Sequence, residues 1–184
     1  MGEQVDDFLA HYGIVGMKWG KRKAEPKSPR PKVKDRTESH SVNLKNGDTL
    51  VLDGERTPAM ARAISRISAK TTNRINNSHS FKLKSSDGKT VGEMFLYKKN
   101  PDEMNVVWVE VNKNYRGNGY ATGAMKAAVN VAKQQNLKKV TLEVPGSSPD
   151  ARHIYEKMGF KAGKQISSSN DVWGGLTEMQ LDLR

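Results

Sequence analysis

Alternating apolar and polar positions divide the chain after about residue 40 into short strands. The segment SVNLKNGDTLVL surrounds Asn46-Gly47, which predicts a β-hairpin with a tight type I′ turn. A second hairpin is predicted around Asp87-Gly88, followed by an apolar run, EMNVVWVEV, that indicates a strand at the centre of a sheet. Three further strands are predicted in KKVTLEV, FKAGKQI and GLTEMQLDL.

Helical periodicity separates these strands in three places. The first helix is predicted after Thr57, its cap, and Pro58, with an inward stripe of Met60, Ile64, Ile67 and Thr71. The second covers roughly residues 119–135, and its predicted inner side is Ala121, Ala124, Met125, Ala128 and Ala132.

The third helix is predicted in SPDARHIYEKMG, with Ser148 as cap, Pro149 in the first turn and Gly159 at the end. Its apolar stripe consists of Ala151, Ile154, Tyr155 and Met158. The order of elements predicts a mixed α/β fold, an α+β sandwich with a mostly antiparallel central sheet flanked by helices.

Charge is concentrated before the first strand. The chain carries a net charge of +11, and residues 17–36 contain nine Lys or Arg against two acidic residues, which is +7 of that total. Residues 1–22 form a compact aromatic and glycine-containing segment, and residues 23–40 read as a flexible, Pro-containing basic linker. The folded domain is therefore predicted over residues 41–184, and removal of residues 1–40 is expected to leave it intact.

The composition excludes several classes of protein. There is no cysteine, so disulfides, thiolate metal sites and a cysteine nucleophile are excluded, and no metal site is predicted. No apolar run of about 18 residues is present, which argues against a membrane span. The N-terminus also lacks the apolar core of a signal peptide. We therefore expect a cytoplasmic protein.

The stretch NKNYRGNGYATGAM, residues 112–125, joins the central strand to the second helix. Gly117 and Gly119 permit close approach of a ligand to the backbone, and Arg116 adds a positive charge beside it. Free N–H groups at a helix N-terminus bind anions, so a diphosphate is the natural ligand. The other interpretation is an ordinary helix entry that happens to contain two glycines.

Two motifs resemble those of the GNAT superfamily of N-acyltransferases. Residues 116–121, RGNGYA, match R/Q-x-x-G-x-G/A, the acetyl-CoA diphosphate loop of that family. About thirty residues later, ARHIYEKMGF is similar to the family's second signature, A-x-x-x-Y-x-x-x-G-F. The resemblance covers residues 41–184 and implies the GNAT fold, acetyl-CoA as co-substrate and an amine as acceptor.

The resemblance also implies roles for individual residues. The strand backbone at Val109 and Val111 would pair with the pantetheine arm, and Tyr155 would protonate the departing CoA thiolate, although a purely structural aromatic is the alternative for Tyr155. Ser148 stands where the family often has Asn. The diphosphate cradle would consist of Arg116, Gly117, Asn118, Gly119, Tyr120 and Ala121, with Thr122 adding a hydroxyl.

A carboxylate is the usual group that removes a proton from an attacking amine. Glu110, on the central strand, is our predicted general base, with Glu103 and Glu93 as the other candidates on that strand and its neighbour. His79 and His153 lack a partner pattern, so neither is assigned a catalytic role.

The N-terminal string HYGIVGMKWGKR resembles an H-Y-G-x-x-G-M-K-W-G segment of virion-associated proteins of tailed phages and prophages. This resemblance implies a phage or prophage origin, with the protein in a bacterium, in a phage-infected host or in the virion. It also implies recruitment by a capsid or another virion protein through residues 11–20. The alternative is a basic segment that contacts nucleic acid weakly and without sequence preference.

Three functions follow from these patterns. The first is an enzyme that transfers acetyl from acetyl-CoA to an unidentified amine, a small molecule or a protein. The second is a non-catalytic accessory protein of a phage particle that uses the acyltransferase fold as a scaffold. The third is nucleic-acid binding through the basic arm.

Overall fold

The computed structural model describes residues 32–65, 69–168 and 174–183. Helical structure comprises α1 (Ala59–Ser65), α2 (Ala69–Asn76), a 3-10 turn (Lys113–Tyr115), α3 (Tyr120–Gln134) and α4 (Pro149–Lys157). The strands are β1 (His40–Asn43), β2 (Thr49–Gly54), β3 (Ser78–Lys84), β4 (Thr90–Asn100), β5 (Glu103–Val111), β6 (Lys139–Pro145), β7 (Lys161–Gln165) and β8 (Leu176–Asp182). None of the described helices is long and apolar enough to cross a membrane.

The strands form one sheet in the order β1-β2-β3-β4-β5-β6-β8-β7. Every neighbouring pair is antiparallel except β5 and β6, which are parallel and joined by the crossover helix α3. The predicted fold class is confirmed, and the predicted central position of β5 is confirmed as well.

Helix α3 lies on the buried face of the sheet because its inner side consists of small residues. Ala124, Met125, Ala128 and Ala132 are fully buried, as the periodicity predicts, while Ala121 is partly buried. Gly123 brings the helix close to the first hairpin, where an added Cβ would lie 2.3 Å from Leu44 Cδ2. The N-terminus of α3 is therefore held against the turn between β1 and β2.

That first turn differs from its prediction. A type I′ turn requires a positive φ at both central residues. Gly47 has φ 86°, but Asn46 is not among the described non-glycine residues with positive φ. The strands are joined instead by the five residues 44–48, with Leu44 N–H donating to the Asp48 carbonyl (2.8 Å). The dipeptide marked the turn correctly but not its type.

The first predicted helix also differs in its details. Helical residues lie on both sides of residues 66–68, in α1 and α2. Thr57 does not cap α1, because its hydroxyl donates to the Lys34 carbonyl (2.6 Å). Met60, assigned to the buried stripe, is 52% exposed, whereas Ala61 and Ile75 are buried. The core-facing side of this region is therefore rotated from the predicted one.

Residues 32–39 are not the solvated linker that their composition indicates. Lys34 N–H donates to Asn76 Oδ1 (2.8 Å), and Thr37 N–H donates to the Glu55 carbonyl (3.0 Å). Thr37 is buried, and its carbonyl approaches Gly54 so closely that a Cβ there would lie 1.9 Å away. The predicted linker over residues 23–40 is thus wrong for its second half, and the rest of it, like the tag at residues 1–22, lies outside the described residues.

We expect two truncations to separate these parts of the chain. Removing residues 1–31 should leave the melting temperature unchanged, whereas removing residues 1–39 should lower the free energy of unfolding by at least about 2 kcal/mol. The reason is that several hydrogen bonds, each worth about 0.5–1.5 kcal/mol, are lost with residues 32–39. Urea unfolding of both truncations measures the difference, and equal stabilities would contradict the observed packing.

Candidate functional site

Strands β5 and β6 pair over only half of their length. The paired residues run from Glu103 opposite Lys139 to Val106 opposite Leu142, and no pair follows. At that point β5 contains one extra residue relative to β4, because Leu96 pairs with Val106 but Phe95 pairs with Trp108. The extra residue, Val107, forms a β-bulge, which bends a strand and increases its twist. A cleft therefore opens between the C-terminal halves of β5 and β6.

The backbone of β5 presents free groups to this cleft. Asn112 N–H donates to the Val91 carbonyl of β4 (2.8 Å), and backbone groups alternate sides along a strand. Val109 and Val111 therefore direct their N–H and carbonyl groups toward the parted side. The Val111 carbonyl accepts a hydrogen bond from Arg116 Nε (3.1 Å), whereas Val109 has no acceptor or donor there within the described chain. An extended ligand can pair with Val109.

The glycine loop lies between β5 and α3. Gly117 and Gly119 have φ of 80° and 82°, and no atom beyond the adjacent residues lies within 4 Å of a Cβ placed on either. Their open surroundings mean that the fold requires these glycines for their backbone conformation and not for internal packing. The loop surface is therefore accessible to a ligand.

The N-terminus of α3 is uncapped. Gly119 is the N-cap and offers no side chain, and the first turn contains no acidic residue. Within the described residues, the N–H groups of residues 117–122 donate to no protein acceptor, and the first bond of the helix is Gly123 N–H to the Gly119 carbonyl (2.9 Å). Unsatisfied N–H groups and the helix dipole give this turn the features that favour an anion.

Side chains of the loop brace its backbone. Asn118 Nδ2 donates to the carbonyls of Tyr115 and Arg116, both at 3.2 Å. Arg116 is exposed and contacts the end of β5 through its Nε, as described above. Ala121 packs partly on the core, so only its backbone faces the loop, while Thr122 lies at the surface groove described below. Of the predicted cradle residues, Gly117, Asn118, Gly119 and Thr122 line one groove together.

Tyr120 is an exception among them, because its side chain is buried away from the loop. Its hydroxyl donates to Asp48 Oδ2 (2.7 Å), and its ring lies edge-on to Tyr115 with centroids 6.4 Å apart. The hydrogen bond to Asp48, together with burial, raises the pKa of Tyr120 to about 12. Hydrogen bonds from Ser86, Tyr120 and the Thr49 N–H lower the pKa of Asp48. The bond between Tyr120 and Asp48 therefore joins α3 to the first hairpin. The sequence did not indicate this role for Asp48.

A groove of about 980 Å³ runs from the glycine loop along the outer side of α3. Its lining includes Lys45 of the first turn, Lys126 and Lys133 of α3, and Lys157 of α4. Sequence reasoning missed these lysines, although Lys126 and Lys133 follow Thr122 at helical spacing on the exposed face of α3. Four ammonium groups favour a ligand with several negative charges.

Tyr155 lies on α4, in the stripe predicted for that helix. Its half-buried ring packs against the buried Phe160, with centroids 5.9 Å apart and planes inclined by 56°. Burial raises the pKa of Tyr155, so the phenol is protonated at neutral pH. The hydroxyl donates to no acceptor among the described residues, so its proton is available to a bound group.

Ser148 occupies the N-cap position of α4, with Pro149 in the first turn as predicted. Its side chain forms no capping hydrogen bond, while its N–H donates to the Pro145 carbonyl (3.0 Å). The predicted cap is correct in position only. The half-buried hydroxyl is consequently not used by the helix.

The three carboxylates considered as a base occupy different environments. Glu103 is buried at the start of β5, and although burial opposes ionisation, hydrogen bonds from Thr141 (2.8 Å) and Lys139 (3.3 Å) lower its pKa overall. It lies about 20 Å along the strand from Glu110, and its bonds to Thr141 and Lys139 hold the start of β5 to β6. Glu93 accepts a hydrogen bond from Lys82 (2.9 Å). Glu110 is exposed and its carboxylate contacts no cation among the described residues.

The two histidines to which the sequence assigns no role occupy different environments. Burial, with the nearby charges of Lys34, His40 and Lys98, lowers the pKa of His79 to about 4, so it is neutral at pH 7. His153 lies on the exposed side of α4 at the groove. Across the described residues, no group of three or more His, Asp or Glu side chains is arranged to hold a metal ion.

Two family models match the chain. The acetyltransferase (GNAT) family model matches residues 53–160, which is 108 of the 184 residues and contains both motifs. A model of a family of unknown function (DUF7211) matches residues 2–26, and the resemblance of residues 11–20 to a virion segment stays a prediction. No curated protein sequence matches the chain.

Solved structures of acetyltransferases share the fold. A GNAT family acetyltransferase from Elizabethkingia anophelis with acetyl-CoA bound is 15% identical, with 82% of this chain and all of that chain covered at a TM-score of 0.53. Spermidine N-acetyltransferase from Vibrio cholerae, in complex with CoA and spermine, is 18% identical. The match covers 70% of this chain and 78% of that chain, with a TM-score of 0.54. Ard1 from Thermoplasma volcanium is 21% identical, and the match covers 57% of this chain and 70% of that chain, with a TM-score of 0.53.

The bulged and parted strand, the uncapped glycine loop and the two matched motifs agree with one another and with the family model, which covers more than half of the sequence. The prediction of an acetyltransferase enzyme is therefore confirmed at the level of the family. The chain belongs to the GNAT family of acetyltransferases.

Proposed function

We propose that the protein transfers the acetyl group of acetyl-CoA to an amine by direct attack. The observation that carries this proposal is the N-terminus of α3, where the free N–H groups of residues 117–122 lie beside the cleft between β5 and β6. An anion site next to an open strand edge suits a ligand that combines a diphosphate with an amide-containing chain.

In this proposal each part of acetyl-CoA has its own contacts. The diphosphate binds the loop of residues 116–121 and the Thr122 hydroxyl, with Arg116 adding charge. The pantetheine arm pairs with the backbone at Val109, and with the Val111 N–H, since Arg116 occupies the Val111 carbonyl. The Ser148 hydroxyl adds a contact from α4.

The groove lysines extend this site beyond the loop. A third phosphate group on the adenosine end of CoA would carry negative charge into the groove lined by Lys126, Lys133 and Lys157. Exposed lysines act as point charges, so their contribution to affinity falls as salt is added.

Two side chains carry the proton transfers of the proposed reaction. An amine attacks the thioester carbonyl only after losing a proton, and we assign Glu110 as the group that receives it, directly or through water. Collapse of the tetrahedral intermediate breaks the C–S bond, and Tyr155 donates its proton to the thiolate. Its elevated pKa keeps that proton in place at neutral pH until a basic sulfur forms.

Gly119→Glu is expected to abolish acetyl-CoA binding. The new side chain and its negative charge would enter the anion site, and a non-glycine residue at φ 82° adds backbone strain of about 1–2 kcal/mol. Isothermal titration calorimetry with acetyl-CoA measures the loss.

Gly88→Glu is the matched control, because Gly88 has φ 80° and open space around its Cβ position in the turn between β3 and β4. Both variants should lose similar stability, but only Gly119→Glu should lose binding. Unchanged affinity in a folded Gly119→Glu protein would refute the assignment of the loop.

Tyr155→Phe is expected to lower kcat by about 10²–10⁴-fold while leaving acetyl-CoA affinity nearly unchanged. The substitution keeps the ring that packs on Phe160 and removes only the hydroxyl, which has no partner within the described chain. Single-turnover acetylation of an accepted amine, with calorimetry of acetyl-CoA as the control, measures both quantities. A wild-type rate would reduce Tyr155 to a packing residue.

A further inference from the structure

The face of the sheet opposite α3 carries a row of charged side chains across three strands. Paired residues of adjacent strands point to the same face, and Lys82 of β3 pairs with Glu93 of β4, which pairs with Glu110 of β5. Lys82 contacts Glu93 (2.9 Å) and Glu55 (3.8 Å), so one ammonium serves two carboxylates. Glu110, directly opposite Glu93, has no cation of its own among the described residues.

The other side of the cleft repeats this arrangement. Thr141 of β6 receives a hydrogen bond from Asn105 of β5 (3.1 Å), which places both on the face of Glu110. Glu143 follows Thr141 by two residues, hence on the same face, and pairs with Glu178 of β8. Neither forms an ion pair with a described residue, although the edge strand β7 carries two lysines, Lys161 opposite Gln180 and Lys164.

Two like-charged pairs in register are unfavourable in an antiparallel sheet. Here they flank the same opening, one pair on each side, in a chain whose net charge is +11. Local arrangements that oppose folding are expected mainly at functional sites, where a ligand offsets them.

Trp108 adds an aromatic surface at the same place. It lies on the unpaired half of β5, two residues before Glu110 and opposite Phe95, on the face that carries the carboxylates. Its side chain is 53% exposed, and its ring stacks on no other ring of the described chain. An exposed indole face beside carboxylates is a favourable environment for an organic cation.

We propose that the acceptor is an amine that carries a second positive charge, which binds between Trp108 and Glu93 while the other amine reacts at the cleft. This inference rests on the proposed acetyl transfer and specifies its substrate class. The shared chemistry is that of an aliphatic diamine, whether as a small molecule or as two neighbouring lysines of a peptide.

The reaction with such a substrate balances without another reactant. The reacting ammonium loses one proton to Glu110, the neutral nitrogen forms a bond to the acetyl carbon, and the C–S bond to CoA breaks. The thiolate takes its proton from Tyr155, which is restored by the second proton of the nitrogen. The products are the monoacetylated diamine, CoA thiol and one proton, while the second ammonium stays charged and bound.

Three acceptors of equal chain length test the sign of the charge that the site prefers. With saturating acetyl-CoA, kcat/KM should be about 10-fold or more higher for 1,4-diaminobutane than for butylamine, and lower again for 4-aminobutanoate, whose carboxylate meets Glu93. A Lys-Lys dipeptide amide compared with its Lys-Ala counterpart distinguishes peptide from small-molecule acceptors.

Two variants assign the preference to residues. Trp108→Leu and Glu93→Gln should each raise KM for 1,4-diaminobutane several-fold, mostly without changing kcat, and should reduce its advantage over butylamine. Glu38→Gln is the control, because it removes one exposed carboxylate next to β1, four strands away from β5. A preference that survives both site variants would overturn the proposal.

Calorimetry keeps this inference separate from the transfer activity. Titration of 1,4-diaminobutane and 4-aminobutanoate into the full chain with CoA present should give binding only for the diamine, weakened by Trp108→Leu. That result would support the cation site even if no acceptor turned over, in which case the proposed catalysis would fail alone. No diamine binding, or equal binding of 4-aminobutanoate, overturns the inference.

Discussion

One extra residue in β5 organises the functional half of the molecule. Val107 bulges from the pairing with β4, is 51% exposed, and coincides with the last pair between β5 and β6. A parallel pair that continued to Val111 would have closed the cleft with backbone hydrogen bonds, leaving no free groups at Val109. The lost pairs leave an opening at the middle of the sheet, where both flanking strands are held by antiparallel neighbours.

The helix that follows places positive charge on one side of this opening, while negative charge lies on the other side. The N-terminus of α3 is uncapped, and the lysines along its outer side extend a positive region away from the cleft. On the opposite face of the sheet, the carboxylates of β4, β5, β6 and β8 surround the same opening. An anionic cofactor and a cationic acceptor can therefore approach from opposite faces without competing for the same charges.

The position of α3 depends on two short-range contacts to the first hairpin. The Tyr120 hydroxyl bonds Asp48, and Gly123 allows Leu44 to lie against the helix backbone. Residues 32–39 fix the opposite end of that hairpin by covering Gly54 and bonding Glu55. The turn between β1 and β2 and the N-terminus of α3 therefore pack directly against each other.

Local signals in the sequence determined the elements and the anion site. The order of strands and helices follows from apolar periodicity, and the loop at Gly117 and Gly119 follows from glycines whose positive φ is a local property. Contacts between distant segments decided the rest. Residues 32–39 look solvated because the partners of their backbone and side-chain groups, such as Asn76, Ser78 and Asp53, lie in distant segments that composition does not reveal. Thr57 was taken for a cap because its partner, Lys34, is 23 residues away. The alignment of Glu93 with Glu110, and of Glu143 with Glu178, depends on strand register. The bulge at Val107 shifts the register between β4 and β5 at the point where the pairing of β5 with β6 ends. Only the tertiary structure could place these carboxylates around one opening, because register is a relation between strands and not a property of either one.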